Sequence, residues 1–226
     1  MPLVPSYIKN LASYKPGLRM DDVKRDKGLD RVIKLASNEN SLGPAPLAIA
    51  AIESAMQKVN RYPDASGTAL RTKLAKKFDI KIENVIIGAG SEGIMSNILR
   101  TFLLGDDEIV AAADSFIGFR VLAKATGRSI HWVHMKNHRI DLDGIAEKIN
   151  DYTKIIYIAN PDNPMGTYIT KEEFDKFYAH VPERILVILD EAYFEFAAHI
   201  EEYPDSMKYR YDNVITLRTF SKAYGL

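Results

Sequence analysis

Two segments near the end of the sequence carry side chains that could do covalent and acid–base chemistry. Lys222 lies shortly after the β-type run 213–217. Asp190 closes the apolar run 185–189, and Tyr193 follows three residues later. A desolvated lysine amine attacks carbonyl carbons and moves protons. A carboxylate that ends a strand lies at the carboxyl edge of the sheet, where open α/β sheets bind ligands. These three side chains are therefore the first candidates for catalysis.

Two further segments could bind the polar parts of a ligand. Asn163 follows the run 154–158, on a turn that neighbouring prolines stiffen, so its amide can be held in place at little entropic cost. The segment Gly88-Ala-Gly-Ser-Glu-Gly93 follows a short apolar run and opens a predicted helix. Backbone N–H groups at a helix N-terminus bind phosphate, which makes the amides of Gly90, Ser91 and Glu92 candidates for a phosphate site.

The same glycine segment also matches the dinucleotide fingerprint G-x-G-x-x-G, with Asp114 ending the next strand about 20 residues later. A nicotinamide-binding protein is therefore an alternative. It is disfavoured because a dehydrogenase has no use for Asp190, Tyr193 and Lys222 together. A long stretch of chain also precedes this segment, whereas the fingerprint usually opens its domain.

Short apolar strands that alternate with helices must position these side chains. We expect irregular structure over 1–40, then two amphipathic helices that bear Ile49 to Val59 and Leu70 to Phe78. Strands are predicted near 84–88, 108–112, 129–134, 154–158, 185–190 and 213–217, and helices near 91–104, 116–127, 143–149 and 170–180. This alternation predicts an α/β fold with a mostly parallel sheet, covered by helices on both faces.

Composition narrows the class of protein. The 226 residues can bury a sizeable core. Lys plus Arg and Asp plus Glu both number 30, so nothing indicates a nucleic-acid or anionic-membrane partner. The absence of cysteine excludes disulfides and thiolate chemistry. No apolar run is long enough to span a bilayer, and the N-terminus lacks the features of a secretory signal. We expect a cytoplasmic protein.

Taken together, these segments resemble the active site of the fold type I pyridoxal-phosphate (PLP) aminotransferases. The resemblance implies a three-layer α/β/α large domain in which Lys222 bonds the cofactor aldehyde, Asp190 holds the pyridine nitrogen protonated and Tyr193 approaches O3′. It implies further cofactor contacts from Asn163, from Phe116 stacked on the ring, from the amides of Gly90, Ser91 and Glu92, and from the hydroxyls of Thr219 and Ser221. Glu191 points to the opposite side of its strand and receives no role.

Several motifs in the correct order narrow the resemblance to histidinol-phosphate aminotransferase. They are Tyr14-Lys-Pro-Gly17, Leu35-Ala-Ser-Asn-Glu-Asn40 with Gly43-Pro44, Asn60-Arg-Tyr-Pro-Asp64 and Ser221-Lys-Ala-Tyr-Gly-Leu226. The resemblance implies transfer of an amino group between L-histidinol phosphate and 2-oxoglutarate, a step of histidine biosynthesis. It also implies a homodimer in which Tyr62 reaches the PLP phosphate of the neighbouring subunit, with Tyr14 and Asn38 near the substrate. Met165 departs from the family's Asn-Pro-Thr-Gly pattern.

Other activities on the same fold stay open. An aromatic amino acid transaminase, a phosphothreonine-type decarboxylase and a non-catalytic PLP-fold binding domain are the alternatives. Family members are longer, and two arginines that the family uses after the lysine segment are absent. We therefore expect a truncated chain with little activity alone: an N-terminal arm and the start of the small domain over 1–40, and an incomplete large PLP-binding domain over 41–226, without the C-terminal small domain.

No metal site is expected. His131 and His134 are three residues apart in a predicted strand, so they face opposite sides and cannot share an ion. Asp143 is interpreted as the N-terminal cap of a helix over 144–149.

Overall fold

A five-stranded parallel sheet forms the centre of the computed structural model, which describes residues 3–12 and 17–226. In these ranges the strands are β1 (Glu108–Ala112), β2 (Ile130–Val133), β3 (Thr153–Ala159), β4 (Leu186–Asp190) and β5 (Val214–Leu217). Their order is β2-β1-β3-β4-β5, and each neighbouring pair is parallel. Five of the six predicted strands are thereby confirmed.

Helices occur along the whole described chain. They are α1 (Ser6–Lys9), α2 (Met20–Lys27), α3 (Pro46–Ala55), α4 (Thr68–Phe78), α5 (Gly90–Phe102), α6 (Ile117–Ala125), α7 (Leu142–Glu147), α8 (Lys171–Tyr178) and α9 (Phe194–Ala197). Short 3-10 turns cover Met56–Lys58, Ile82–Asn84 and Ser206–Lys208. None of the helices in the described ranges is long and apolar enough to cross a membrane.

Two separate hydrophobic clusters lie on the two faces of the sheet. Alternate residues of β3 point to opposite faces: Ile155 and Tyr157 join the cluster with α5 and α6, whereas Ile156 and Ile158 join the cluster with α7 and α8. A strand buried on both sides needs apolar residues at every position, which explains its continuous apolar run. The three-layer α/β/α architecture predicted from the sequence is confirmed.

The helix caps follow local side-chain chemistry. Thr170 accepts a hydrogen bond from the Glu173 amide, and the Glu173 carboxylate accepts one from the Thr170 amide, a reciprocal capping box at the start of α8. At α7 the prediction that Asp143 is the cap is wrong. The Asp141 side chain accepts from the Gly144 amide instead, so Asp143 falls inside the first turn. The helix begins two residues earlier than its apolar pattern indicated.

The predicted strand at 84–88 is also wrong as a paired element. Val85 is extended (φ −109°, ψ 120°), but the segment joins no ladder among the described strands. The Arg71 guanidinium donates hydrogen bonds to the carbonyls of Ile82 and Val85, each at 2.8 Å. Ile86 is 76% exposed. An apolar run becomes a strand only where a partner edge is available to it.

Residues 1–40 are less irregular than expected, because they contain α1 and α2. In α2, Asp21 and Asp22 lie in the first turn and three basic residues in the last, which complements the helix dipole. Gly28 ends the helix in the left-handed conformation, with φ 61°. Charge pattern and cap therefore specify this helix, although none of its residues is buried.

Candidate active site

Loops at the carboxyl ends of four strands and the N-terminus of α5 surround one pocket. β4 ends at Asp190, the loops after β1 and β3 carry Phe116 and Asn163, and the loop after β5 carries Lys222. Parallel strands bring all these ends to one edge of the sheet. The lining residues are Ala89, Gly90, Ser91, Glu92, Phe116, Ala159, Pro161, Asn163, Asp190, Ala192, Tyr193, Thr219, Ser221 and Lys222.

The floor of the pocket is a buried carboxylate. Asp190 is 4% exposed, and its two oxygens accept hydrogen bonds from the Tyr157 hydroxyl at 2.8 Å and from the Ala192 amide at 3.2 Å. Burial raises the pKa of Asp190, and the two hydrogen bonds together with the positive charge of Lys222 offset part of that rise. The carboxylate has no cation in direct contact among the described residues, so its free lone pairs suit a protonated ring nitrogen.

The tyrosine three residues further on is held by two amides. The Tyr193 hydroxyl accepts hydrogen bonds from the side chains of Asn38 at 3.0 Å and Asn163 at 3.3 Å. Asn38 comes from a segment distant in sequence, in which Ser37 and Asn38 adopt left-handed φ values of 70° and 51°. Non-glycine residues rarely adopt this conformation, and it concentrates at functional sites.

Lys222 lies close to Ser37 and to Tyr193. Its Nζ donates a hydrogen bond to the Ser37 carbonyl at 3.3 Å and lies 5.7 Å from the centre of the Tyr193 ring. Asn40 binds the next residue of the lysine loop, donating to the Ala223 carbonyl at 2.9 Å. Gly225 has φ 66°, and a Cβ there would meet the Gly43 carbonyl carbon at 2.9 Å. The segment 37–43 therefore packs directly on the lysine loop.

The start of α5 also borders the pocket. Gly90, Ser91 and Glu92 line the pocket, and the residue before them, Ala89, has no side-chain oxygen that could cap the helix. The Gly90 amide already donates to the Gly88 carbonyl at 2.9 Å, so the first-turn amides suited to bind an anion are those of Ser91 and Glu92. Hydroxyls of Thr219 and Ser221, 3.1 Å apart, line the same pocket and could bind the same anion.

Phe116 precedes α6 and presents an aromatic ring to the pocket. Its loop is tied to the Asn163 loop, because Ser115 donates a short hydrogen bond to Asp162. Asp162 also accepts from the Met165 amide at 3.2 Å. Two loops that contribute lining residues are thereby fixed relative to each other.

Most of the candidate residues from the sequence come together here. Lys222, Asp190, Tyr193, Asn163, Phe116, Gly90, Ser91, Glu92, Thr219 and Ser221 line the pocket, and Asn38 contacts it through Tyr193. Tyr62 does not: its side chain is 102% exposed and lies outside the lining. Tyr14 lies outside the described residues. His131 binds Glu108 at 2.6 Å, and the described part of the chain contains no cluster of three or more side chains that could ligate a metal.

Sequence reasoning missed two groups behind the pocket. Tyr157 reads as one more apolar position of β3, and only its hydrogen bond to Asp190 distinguishes it. Glu191, to which the sequence assigned no role, binds Arg218 at 2.8 Å, and Arg218 also binds Asp205 at 2.7 Å. An acid directly after an apolar strand and an arginine directly after the next strand were the available signals for this pair.

The donor set fits a phosphorylated pyridine aldehyde. An amine, a buried carboxylate, an aromatic ring and a helix N-terminus are the groups that bind the aldehyde carbon, the ring nitrogen, the ring face and the phosphate of such a molecule. All four border the same pocket.

Comparisons with known proteins agree with this chemistry. The family model described as aminotransferase class I and II matches residues 30–226. Histidinol-phosphate aminotransferase of Anaeromyxobacter sp. (strain Fw109-5) is 42% identical over 229 residues, covering 100% of this chain and 63% of the relative. Histidinol-phosphate aminotransferase 2 of Carboxydothermus hydrogenoformans is 40% identical, covering 99% of this chain and 62% of the relative.

A solved structure is similar over the whole chain. The crystal structure of histidinol-phosphate aminotransferase from Sinorhizobium meliloti in complex with pyridoxal-5'-phosphate superposes with a TM-score of 0.86 at 30% identity. The match covers 100% of this chain and 60% of that one. This chain thus spans about six tenths of the length of the relatives it matches. With the family model covering most of its residues, the chain belongs to the class I and II aminotransferases.

Proposed function

We propose that the protein transfers an amino group between L-histidinol phosphate and 2-oxoglutarate, with PLP as its cofactor. One observation carries the chemistry: the amine of Lys222 and the buried carboxylate of Asp190 border the same pocket. The choice of substrate rests on relatives about 40% identical over the whole chain, which carry the name of that enzyme.

PLP, when bound, supplies an electron sink for the carbanion left by loss of the substrate α-proton. Asp190 would hold the proton at the pyridine nitrogen that makes the ring electron-poor. Its burial at 4% exposure excludes water from that end of the pocket, which strengthens an ion pair there. Phe116 would pack on the ring face.

Lys222 would hold the cofactor aldehyde and, once displaced by the substrate amine, move the α-proton. Its Nζ is within hydrogen-bond distance of the Ser37 carbonyl at 3.3 Å, so the amine has a second position to occupy when it is free. Tyr193, bound by Asn38 and Asn163, would donate its hydroxyl proton to the phenolic oxygen of the cofactor. The amides of Ser91 and Glu92, with the hydroxyls of Thr219 and Ser221, would bind the phosphate.

A homodimer with Tyr62 reaching the partner's phosphate site is part of the same proposal. Its support is the exposed apolar surface around α3, where Leu47 is 86% exposed and Val59 is 73% exposed. We assign residues 1–40 to an N-terminal arm with the start of the small domain and 41–226 to the large domain. The contacts of Ser37 and Asn38 with the lysine pocket support an arm that closes over the site.

Borohydride reduction of the PLP-loaded protein tests the proposal. We expect mass spectrometry to find the reduced cofactor on the peptide that carries Lys222. Lys222→Ala should lose the attachment and lower transamination by roughly 10²–10⁴-fold or more, because both the anchoring and the proton transfer are lost. Lys154→Ala is the matched control, since that lysine binds the Arg184 carbonyl and lies outside the pocket lining. Attachment elsewhere, or none, contradicts the proposal.

A panel of amino donors then tests the substrate. We expect L-histidinol phosphate to react with 2-oxoglutarate faster than L-phenylalanine, and O-phospho-L-threonine to release no CO₂. Preference for phenylalanine would make the protein an aromatic amino acid transaminase. CO₂ release would make it a decarboxylase. PLP attachment without turnover of any donor, in a protein extended to the length of its relatives, would leave a binding domain.

A further inference from the structure

Behind the floor of the pocket lies a tyrosine that the mechanism above does not use. Tyr157 is 1% exposed in the middle of β3, and its ring stacks on Phe119 with centroids 3.8 Å apart and planes 6° from parallel. The stacking aims the hydroxyl at the end of the neighbouring strand, where it lies 2.8 Å from Asp190 Oδ2. Because the packing holds the ring in place, the hydroxyl cannot turn to another hydrogen-bond partner.

The direction of this hydrogen bond is fixed. Burial and the adjacent negative charge of Asp190 raise the pKa of Tyr157 well above its ordinary value, so the phenol keeps its proton. The hydroxyl therefore donates and the carboxylate accepts. The second carboxylate oxygen accepts from the Ala192 amide at 3.2 Å. Both oxygens thus have a donor on the protein side, and a proton on Asp190 would have to occupy a lone pair facing the pocket.

We propose that Tyr157 is a positioning residue that keeps Asp190 a hydrogen-bond acceptor, so that the proton shared between this carboxylate and the pyridine nitrogen stays on the nitrogen. The inference rests on the proposed function, because it assumes PLP in the pocket. It deepens that function by assigning control of the electron sink to a residue that does not touch the cofactor.

The remaining charged and titratable groups around the carboxylate are few in the described residues. Lys222, on the loop after β5, faces Asp190 from the pocket side and favours the carboxylate form. Tyr193 follows β4, and Asp162 follows β3. Neither hydrogen-bonds to Asp190, since Tyr193 binds the two asparagines and Asp162 binds Ser115. Tyr157 is therefore the side-chain donor on which the acceptor state of Asp190 depends.

The ring-nitrogen ¹⁵N chemical shift of labelled PLP, bound to the full chain at neutral pH, tests the inference. In the unaltered protein we expect the value of a protonated pyridine. Tyr157→Phe keeps the ring that stacks on Phe119 and removes only the hydroxyl donor. The Asp190 carboxylate then becomes a stronger base than it is in the unaltered protein. The ¹⁵N shift should then move toward the value of an unprotonated pyridine. An unchanged ¹⁵N shift in Tyr157→Phe overturns the inference.

Affinity measurements separate this effect from general damage. We expect Tyr157→Phe to bind PLP about tenfold more weakly, the size of a hydrogen bond to a charged group. Binding of 1-deazapyridoxal phosphate, which has no ring nitrogen, should change little. Equal losses for both ligands would mean a merely structural role. Tyr203→Phe is the matched control, because the Tyr203 hydroxyl is also buried but donates to the Asn160 carbonyl at 2.5 Å. In this variant the ¹⁵N shift should equal that of the unaltered protein.

Two outcomes distinguish failure of this inference from failure of the proposed function. If the unaltered protein carries no PLP on Lys222, both fall together. If PLP is attached in both proteins and the ¹⁵N shifts agree, only the role of Tyr157 falls. Should Tyr157→Phe not fold, 3-fluorotyrosine at position 157 decides. Its ¹⁹F resonance should move on binding PLP and much less on binding the deaza analogue, and equal responses overturn the inference.

Discussion

Asp162 shows how a single buried acid organises the mouth of the pocket. It lies on the loop that carries Asn163 and accepts hydrogen bonds from the Ser115 hydroxyl, on the loop that carries Phe116, and from the Met165 amide. Burial raises the pKa of Asp162, and these two hydrogen bonds offset part of the rise. Although ionising this carboxyl group costs energy here, its hydrogen bonds join two lining loops.

The raised pKa predicts how Asp162→Asn changes stability with pH. The folded state holds its proton to a higher pH than the unfolded state, so this group's contribution to stability is fully present below the unfolded pKa and is lost as pH rises through the folded pKa. Asp162→Asn should remove that pH-dependent loss of stability, because an amide does not ionise. The amide can still donate to Ser115 and accept from Met165, so the two loops stay joined. Urea unfolding at a series of acidic pH values should therefore show that the free energy of unfolding of the variant increases relative to that of the unaltered protein as pH rises above the ordinary aspartate pKa.

A stability difference for Asp162→Asn that is flat, or that has the opposite slope, would contradict the assigned burial effect.

At the scale of elements, an ion cluster joins the ends of β4 and β5. Arg218 donates to Glu191 through Nε at 3.0 Å and Nη2 at 2.8 Å, and its Nη2 also contacts Asp205 at 2.7 Å. Glu191 is 1% exposed. Burial raises the pKa of Glu191, and Arg218 offsets part of that rise. Because Asp190 precedes Glu191 and the lysine loop follows Arg218, this cluster sets the spacing between the carboxylate and the amine.

Arg218→Met should be strongly destabilising. It leaves Glu191 buried without its counter-ion, a change that typically costs about 3–5 kcal/mol. Arg139→Met is the matched control, since Arg139 pairs with Glu173 while both side chains are 45% exposed, and such pairs contribute about 0–1 kcal/mol. Denaturant unfolding measures both. Equal losses of unfolding free energy in the two variants would show that the buried ion cluster stabilises the fold no more than an exposed ion pair does.

The same elements show what the sequence could predict. Strand ends placed Asp190, Asn163 and Lys222 at one edge, because a continuous apolar run fixes both the strand and the point where it stops. Tyr157 could not be predicted as a donor to Asp190, since that contact depends on the register in which Tyr157 pairs with Ile188, two residues before the acid.

Two errors have a common physical origin. The run at 84–88 has the composition of a strand, but pairing depends on a neighbouring edge that composition does not reveal. The cap at Asp141 instead of Asp143 depends on which of two acids reaches the Gly144 amide. Long-range pairing and single-residue capping geometry are both weakly encoded in local patterns.

At the scale of the whole molecule, α3 and the residues after it expose an apolar surface. Leu47, Met56, Val59 and Tyr62 are each at least 60% exposed. A monomer rarely leaves this many large apolar side chains together in water, and a stable interface buries roughly 800 Å² per partner. This surface is the basis for the proposed homodimer.

Leu47→Lys should weaken that dimer. We expect sedimentation velocity to show a dimer for the unaltered protein and a shift toward monomer for the variant, because a charge would be desolvated at the interface. Leu104→Lys is the control: Leu104 is 70% exposed but precedes β1, at the amino end of the sheet. If the unaltered protein is a monomer at every concentration, or both variants dissociate equally, the proposed interface is wrong.

The packing of segment 37–43 on the lysine loop has a consequence in time. Ser37 and Lys222 are 185 residues apart, and Asn40 and Ala223 are 183 apart. At about 5–20 residues per second, a ribosome needs roughly 10–40 s to make the chain between them. Throughout that interval the early segment waits without its partner, while the strands between can already pair. The pocket is therefore completed later during synthesis than the strands between these two segments.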